Sequence, residues 1–381
     1  MKTLDFTLRF HTPAFLGNAE QSGQWRTPPI KALLRQWWRV AYAADHKFDV
    51  DVAAMRREEG RLFGVASDGE GDSRKSLVRI RLDKWAEGQL KKNQWPGFAT
   101  VSHPEVPMPV ASDLYLGYGP LVFRNGTALK SNAAIQFGES ATLSLAVPTT
   151  HKDAELRRLL EDNVPRIERA LWLMDRYGTL GGRSRNGWGS CALLPSPAGR
   201  GAGGEGKAPL RPWRDCLNLD WPHAIGQDEK GPLIWQTAPH DDWKALMKTL
   251  AIVKIGLRTQ KPQFEFTLDA ASGDKPTKNG INHGRAQARH WLSYPVTNHS
   301  VQPWDAEFVN GKKKPLNLRL PNTLRFKVRF TPDGKLVGVI FHVPHLPPAA
   351  FNPNRSAIER VWKQVHAFLD APAQALTRIP E

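Results

Sequence analysis

Cysteine is scarce in this chain. Cys191 and Cys216 are the only two among 381 residues and form no Cys-x-x-Cys pair, which argues against a disulfide framework and against a structural zinc module. Long apolar runs are missing too. No stretch approaches the roughly 18 residues of a membrane-crossing helix, and Met1-Lys2-Thr3-Leu4-Asp5-Phe6-Thr7 lacks the apolar core of a signal peptide. A cytoplasmic protein that does not engage a membrane is the expectation. The chain also has no His-Glu-x-x-His, no Walker lysine in a Gly-rich loop and no Gly-x-Ser-x-Gly elbow, so zinc-protease, nucleotide-hydrolysis and esterase chemistry are not expected. His342-Val343-Pro344-His345 is the one close histidine pair, and no Cys or carboxylate stands in sequence to complete a ligand set. Neither a metal nor a cofactor is predicted.

Acidic residues are in deficit, 37 against 53 Lys and Arg, which leaves a formal charge of +16. On a folded body of this size such an excess favours a polyanionic partner through phosphate contacts and counterion release, and nucleic acid is the first candidate. Fourteen tryptophans add aromatic faces suited to base stacking, although most tryptophans in any protein are core.

The stretch best suited to anion binding is Gly181-Gly182-Arg183-Ser184-Arg185-Asn186-Gly187-Trp188-Gly189-Ser190. Glycines permit positive backbone angles and close approach, so consecutive amides can point at one phosphate while Arg183 and Arg185 add charge and forked donors. Trp188 is placed to stack a base. The alternative is an ordinary turn between a helix and a strand.

Along the chain, Thr3 to Phe10 alternates apolar and polar residues as a half-buried strand. A helix begins near Ile30 after Pro28-Pro29, with Leu33, Leu34, Trp37, Trp38 and Tyr42 on an apolar face and Lys31, Arg35 and Arg39 along a basic one. Trp37 and Trp38 point about 100° apart, so one is expected in the core and the other at a groove or against a neighbouring subunit. Ser76 to Leu82 reads as a strand with a basic face. Residues 84–120 read as an insertion with a hairpin toward Leu121 to Lys130, Ala141 to Val147 as a strand, and Asp153 to Tyr177 as a helix kinked or broken at Pro165. A last strand spans Trp188 to Leu194. This order fits the split βαββαβ ferredoxin-like pattern, with the Gly-rich loop between its second helix and final strand.

Residues 195–212, rich in Pro, Gly and Ala, read as a flexible linker or insertion between a domain over 1–194 and an α+β unit over 213–381. In the second unit a helix over Trp243 to Gly256 follows the capping Asp241-Asp242. Gln263 to Leu268 reads as a strand and Arg285 to Trp291 as a short helix. Thr323 to Phe330 and Lys335 to Val343 form a hairpin whose first strand has a basic face, covered by a helix over Ser356 to Leu369.

Metal-independent RNA cleavage is the alternative chemistry, since histidine with Lys or Arg can transfer protons and stabilise phosphate without a contiguous motif. His11, at the end of the first strand, is its best candidate; Asp113 and His283 are weaker ones. A third reading is a mainly structural subunit whose charge serves assembly.

Taken in order, Thr12-Pro13-Ala14-Phe15-Leu16-Gly17, Pro29-Ile30-Lys31-Ala32-Leu33-Leu34-Arg35-Gln36-Trp37-Trp38-Arg39, Leu62-Phe63-Gly64 and the Gly-rich loop from Leu180 to Ser190 resemble the RAMP superfamily of CRISPR proteins. The pattern looks most like the first-subunit family of the type III-B (Cmr) effector complex. The resemblance covers the first ~190 residues. Asn18 and Ala32 stand where that family usually has glycine, and Asn186 replaces the last arginine of its loop. What the resemblance implies is a fold of two ferredoxin-like (RRM-like) RAMP domains with insertions, and a non-catalytic subunit of an interference ribonucleoprotein. Its partners would be guide RNA toward the 3′ end, the target paired with it, and neighbouring Cmr subunits. Lys31, Arg35, Arg39, Gly181, Gly182, Arg183, Ser184, Arg185, Gly187 and Trp188 are the candidate RNA-binding residues; no residue is assigned a catalytic role.

Overall fold

A computed structural model describes residues 1–20, 22–66, 73–196, 207–309 and 312–380. Mixed α and β structure runs throughout, and two four-stranded sheets organise it. The first is built from β1 (Lys2–Phe10), β2 (Arg79–Leu82), β3 (Ser140–Val147) and β4 (Cys191–Leu194) in the order β4-β1-β3-β2, every neighbouring pair antiparallel. Its helices are α1 (Thr27–Asp45) and α2 (Val52–Phe63) between the first two strands, and α3 (Ala154–Tyr177) between the last two. The period-two pattern of β1 works as alternation predicts: Phe6, Leu8 and Phe10 are buried while Thr7 and Arg9 face outward.

Local chemistry sets the helix limits. Pro28 and Pro29 lie in the first turn of α1, where a missing N–H costs nothing, so the helix starts three residues before the expected Ile30. Asp51 accepts from the amides of Ala53 and Ala54 at 2.8 and 3.1 Å and caps α2, an element the periodicity reading had not assigned. Asp153 caps α3 in the same way. That helix continues through Pro165 and stops at Gly178.

The second sheet comprises β5 (Ile234–Thr237), β6 (Leu324–Phe330), β7 (Leu336–His342) and β8 (Leu376–Arg378) in the order β6-β7-β5-β8, with α4 (Trp243–Arg258) after β5 and α5 (Arg355–Asp370) before β8. Counted by order of appearance, both sheets run fourth, first, third, second. Asp242 and Asn354 cap α4 and α5. Gln263 to Leu268 is not a strand: the amides of Phe264 and Glu265 turn back onto the carbonyls of Gln260 and Pro262, and Phe264 is buried in the core of the second half. The helix expected over Arg285 to Trp291 reduces to one short turn, Ala288–Trp291.

Residues 197–206 of the expected linker lie outside the described residues. Its last part is not linker-like, because Ala208 is buried and Leu210–Pro212 pairs in parallel with Ile225–Gln227. Among the described residues no helix is long and apolar enough to cross a membrane.

The sheets meet edge to edge, β4 beside β6. Lys327 on β6, only 1% exposed, reaches the C-terminal end of α3 and β4, donating to the carbonyls of Met174 at 3.4 Å, Cys191 at 2.8 Å and Asp175. An ammonium among the last carbonyls of a helix also meets the negative end of its dipole. The Val328 amide donates to Ser190 Oγ at 2.8 Å. Trp37 completes the join, packing on Tyr177 at 5.7 Å and on Phe341 of β7 at 6.5 Å. Trp38 is as deeply buried, with its indole N–H on Asn163 Oδ1 at 2.8 Å. Neither tryptophan is at a groove, contrary to expectation, because α1 is covered by α2 and α3 on one side and by the second sheet on the other.

The basic face expected for β6 is likewise interior. Arg325 is 6% exposed and Lys327 1%, since the neighbouring half covers the face that alternation assigns to solvent.

Candidate nucleic-acid interface

The Gly-rich loop connects α3 to β4 and lies across the join between the two sheets. Much of it is built into the protein. Gly182 N donates to Phe15 O and Gly189 N to Pro13 O, both at 2.9 Å. Thr12 Oγ1 donates to Gly187 O at 2.7 Å and accepts from Ser190 N at 3.0 Å. The Thr12–Gly17 segment and the Gly-rich loop are thus one packed unit. Gly181, at φ +94°, shows why glycine is needed: a Cβ there would stand 2.6 Å from Phe15 O. The amides of Asn186 and Gly187 close turns onto Arg183 O and Ser184 O, so a multi-amide phosphate cradle along the whole loop, as the sequence suggested, does not form. Gly187 is buried, with Met247 and Leu250 next to the place a Cβ would take.

Trp188 does not offer a stacking face. It is fully buried among Phe15, Trp95, Phe98 and Trp243, with ring centroids 5.4 to 6.3 Å away. An indole flanked by four aromatic rings from three segments stabilises more as core than as a solvent-facing platform.

The exposed part of the loop is Arg183, with Ser184 and Arg185 half-buried. Arg183 holds φ +55° and donates from Nε to Tyr118 O at 2.5 Å. Arg185 donates to Asn322 O at 3.3 Å, and its own carbonyl accepts from Phe326 N at 3.1 Å, fastening the loop to β6. Asn186, where the resembled family carries arginine, is 9% exposed; its amide donates to Leu116 O at 2.7 Å and its oxygen accepts from Lys254. Lys254 is deeply buried on α4, and burial, then Arg258, Arg183 and Arg185, lower its pKa to about 7. An arginine at 186 would put a second cation against that ammonium, so the asparagine is matched to Lys254. Burial also lowers the pKa of Arg183, with Arg319 adding repulsion, and that of Arg185. Both guanidinium groups stay charged, and an arriving anion would relieve the repulsion.

Aromatic surface is supplied from elsewhere. Tyr118 is 65% exposed and Phe123 71%. Tyr118 precedes the hairpin Leu121–Phe123 with Thr127–Leu129, which forms within the expected stretch, and Phe123 ends its first strand. The short helix Ser112–Gly117 ends at Tyr118, and Gly119 lies against the Arg183 guanidinium, 3.6 Å from its nearest nitrogen to a Cβ position. Gly117-Tyr118-Gly119, an aromatic between glycines, was the legible signal for this feature.

The α1 stripe sits apart from the loop, with no residue shared. Arg35 and Arg39 both bind Glu59 of α2, Arg35 at 2.8 Å and Arg39 through Nε and Nη2 at 2.9 to 3.0 Å. Glu59 is 3% exposed while the arginines remain 36% and 40% exposed. Two of the three stripe charges are therefore partly neutralised. Lys31 and Arg35, with Pro28, Ala32, Gly64 and Arg74, line a cleft of about 400 Å3. Burial and Arg35 lower the pKa of Lys31.

The residues considered for catalysis are interior. His11 is 6% exposed, and burial, then Lys327, lowers its pKa to about 4. Asp113 is fully buried and accepts from Trp95 Nε1 at 2.8 Å and Thr127 Oγ1 at 3.1 Å, a bracing role for the insertion. His283 meets Asp274 at 2.9 Å and His299 at 3.2 Å, partners far enough apart in sequence to be invisible there. His342 contacts His366 Nε2 and Thr323 Oγ1, each at 2.9 Å, within the core.

Residues 7–192 match the family model described as the RAMP superfamily. No curated protein matches the chain. Solved structures similar to it include that of Cmr1 from Pyrococcus furiosus in its apo form, at 14% identity and a TM-score of 0.44, covering 99% of this chain and 98% of that one. A chain of the type III-B Cmr-beta complex bound to cognate target RNA is similar at 11% identity and a TM-score of 0.45, covering 95% of this chain and 99% of its own. The matched segment 7–192, which contains the Thr12–Gly17 turn, α1 and the Gly-rich loop, belongs to the RAMP superfamily.

Proposed function

We propose that the chain is a non-catalytic guide-RNA-binding subunit of a type III-B CRISPR interference ribonucleoprotein, acting in the cytoplasm. It is built of two ferredoxin-like RAMP halves, about 1–194 and 213–381, and touches RNA backbone near the 3′ end of the guide, the target paired with it, and neighbouring Cmr subunits. The matching strand orders of the two sheets support the paired architecture. The family match and the ordered motifs support the type III assignment.

The observation that carries RNA binding is Arg183, an exposed residue at positive φ whose guanidinium is bonded to the main chain of the exposed Tyr118, on a chain of charge +16. Charge for a phosphate and a face for an unstacked base lie together there, which is the pairing single-stranded RNA requires. Anisotropy of a labelled single-stranded RNA over a salt series tests it. Arg183→Ala with Arg185→Ala is expected to weaken binding by about tenfold, alike across sequences, and to flatten the salt slope by about one to two. Undiminished affinity and slope overturn the reading. His11's burial supports the non-catalytic part, and repeat RNA incubated with the protein in EDTA should stay intact. Specific cleavage abolished by His11→Ala would favour the endoribonuclease instead.

A further inference from the structure

Where β4 meets β6 there is a third basic site, separate from the Gly-rich loop and from the α1 cleft. A cavity of about 310 Å3 opens between the sheets, lined among others by Arg9, His11, Arg176, Lys327, Arg329 and Phe330. Its walls come from both halves: Arg9 from β1, His11 from just beyond it, Arg176 from the end of α3, and the last three from β6. Four cations face one carboxylate, that of Asp175. Asp175 is already engaged, accepting from Leu193 N at 2.8 Å and Ser196 Oγ at 2.6 Å.

Two nitrogens at this place are unanswered. Arg329 Nη1 and His11 Nδ1 are both buried without a hydrogen-bond partner, and His11 is 94% removed from solvent. Buried polar atoms left unpaired are rare in folded proteins, and a ligand is one of the standard reasons for them. Electrostatics agree. Burial first, and then neighbouring cations, lower Arg329 to about 10 and Lys327 to about 8. The groups facing Lys327 from the packed elements are Cys191, Asp175, Arg329 and Arg176, with His11 across the cavity. Both cations keep their charge at neutral pH, and Asp175 is the one carboxylate that faces them. At the mouth, Phe330 is 39% exposed and meets the His11 ring edge-on at 4.7 Å.

We infer that this cavity binds a phosphoryl oxyanion, held by Arg9, Arg176 and Arg329 with His11 as a further hydrogen-bonding group, and thereby bridges the two halves. Arginine suits the task because its planar fork matches the oxygens of a tetrahedral phosphate. Lys327 contributes field rather than a direct bond, since its amine is committed to main-chain carbonyls. The volume is at the small end of ligand cavities, enough for one phosphate with its attached sugar or for the free ion. This site goes beyond the RNA contact of Arg183 and does not depend on it.

Calorimetric titration of the full chain tests the inference with three probes: inorganic phosphate, a trinucleotide ending in a 3′-phosphate, and the same trinucleotide ending in a 3′-hydroxyl. Saturable binding of at least one is expected, weakened tenfold or more by Arg176→Gln with Arg329→Gln. Preference for the 3′-phosphate identifies a terminal monoester, equal binding of both trinucleotides a backbone diester, and binding of the free ion alone a small-molecule phosphate. Arg9→Gln with Arg176→Gln, both on exposed rim residues, provides the same comparison should the Arg329 variant fold poorly. Wild-type melting in phosphate against chloride at equal ionic strength is an independent check, with a rise expected in phosphate. No saturable binding of any probe, or binding indifferent to both double variants, overturns the site.

Discussion

Two basic stripes, one on a helix and one on a strand, look alike in sequence and end in opposite environments. Lys31, Arg35 and Arg39 repeat every four residues on α1 and keep their heads at the surface, two of them leaning on Glu59. Arg325, Lys327 and Arg329 repeat every two residues on β6 and are drawn into the join between the sheets, where Lys327 serves three carbonyls. Period shows that residues share a face; it does not show what covers that face. The helix stripe faces outward because α1 buries its opposite side, whereas β6 is an edge strand whose polar face a second sheet can reach.

The broadest test of this contrast is acid. Burial lowers His11 and His223 to about 4 and His290, His345 and His366 to about 3. The unfolded chain takes up these protons near pH 6.5 and the folded chain only much lower, so stability is complete above 6.5 and falls as the pH drops toward 4. Each such histidine adds a slope of about 1.4 kcal/mol per pH unit across that window. Urea midpoints from pH 7.5 to 4.5 should decline steeply; a flat profile would mean the interior histidines are hydrated.

Smaller effects separate the stripes directly. Lys327→Met leaves the carbonyls of Met174, Asp175 and Cys191 without their donor and should cost about 1–3 kcal/mol in chemical denaturation, while Arg39→Ala, losing a part-exposed guanidinium whose partner Glu59 keeps Arg35, should cost less than about 1. Equal losses would erase the distinction. Glu59→Gln sharpens it from the other side. Releasing Arg35 and Arg39 from their shared carboxylate should tighten single-stranded RNA binding by about two- to fivefold at low salt if α1 lies on the RNA path; no change would remove the stripe from that path while leaving Arg183 in place.

Much of the scaffold was legible because it depends on local rules. The alternation of β1, the aspartates before α3 and α4, the Pro332-Asp333-Gly334 turn between β6 and β7 and the amphipathic α5 were each readable from neighbours a few residues apart. The candidate site was legible only in outline. Arg183 stands where a binding loop would place it, but Trp188 is core and Tyr118 takes the exposed position beside the arginine. Helix α2 went unread because its apolar stripe is thin, and Glu59, which moderates two candidate cations, went with it. Asn186 reads in sequence only as a departure from the family's arginine; its partner Lys254 is 68 residues away.

What the sequence by itself determined is most of the long strands and helices, the excess of positive charge and the RAMP-like motifs, since periodicity, capping and composition act over a few residues or over the whole chain at once. Only the tertiary structure decided which cations are exposed, which are paired and which are enclosed between two sheets. That depends on burial, and whether a charged group is buried is set by residues far from it in sequence.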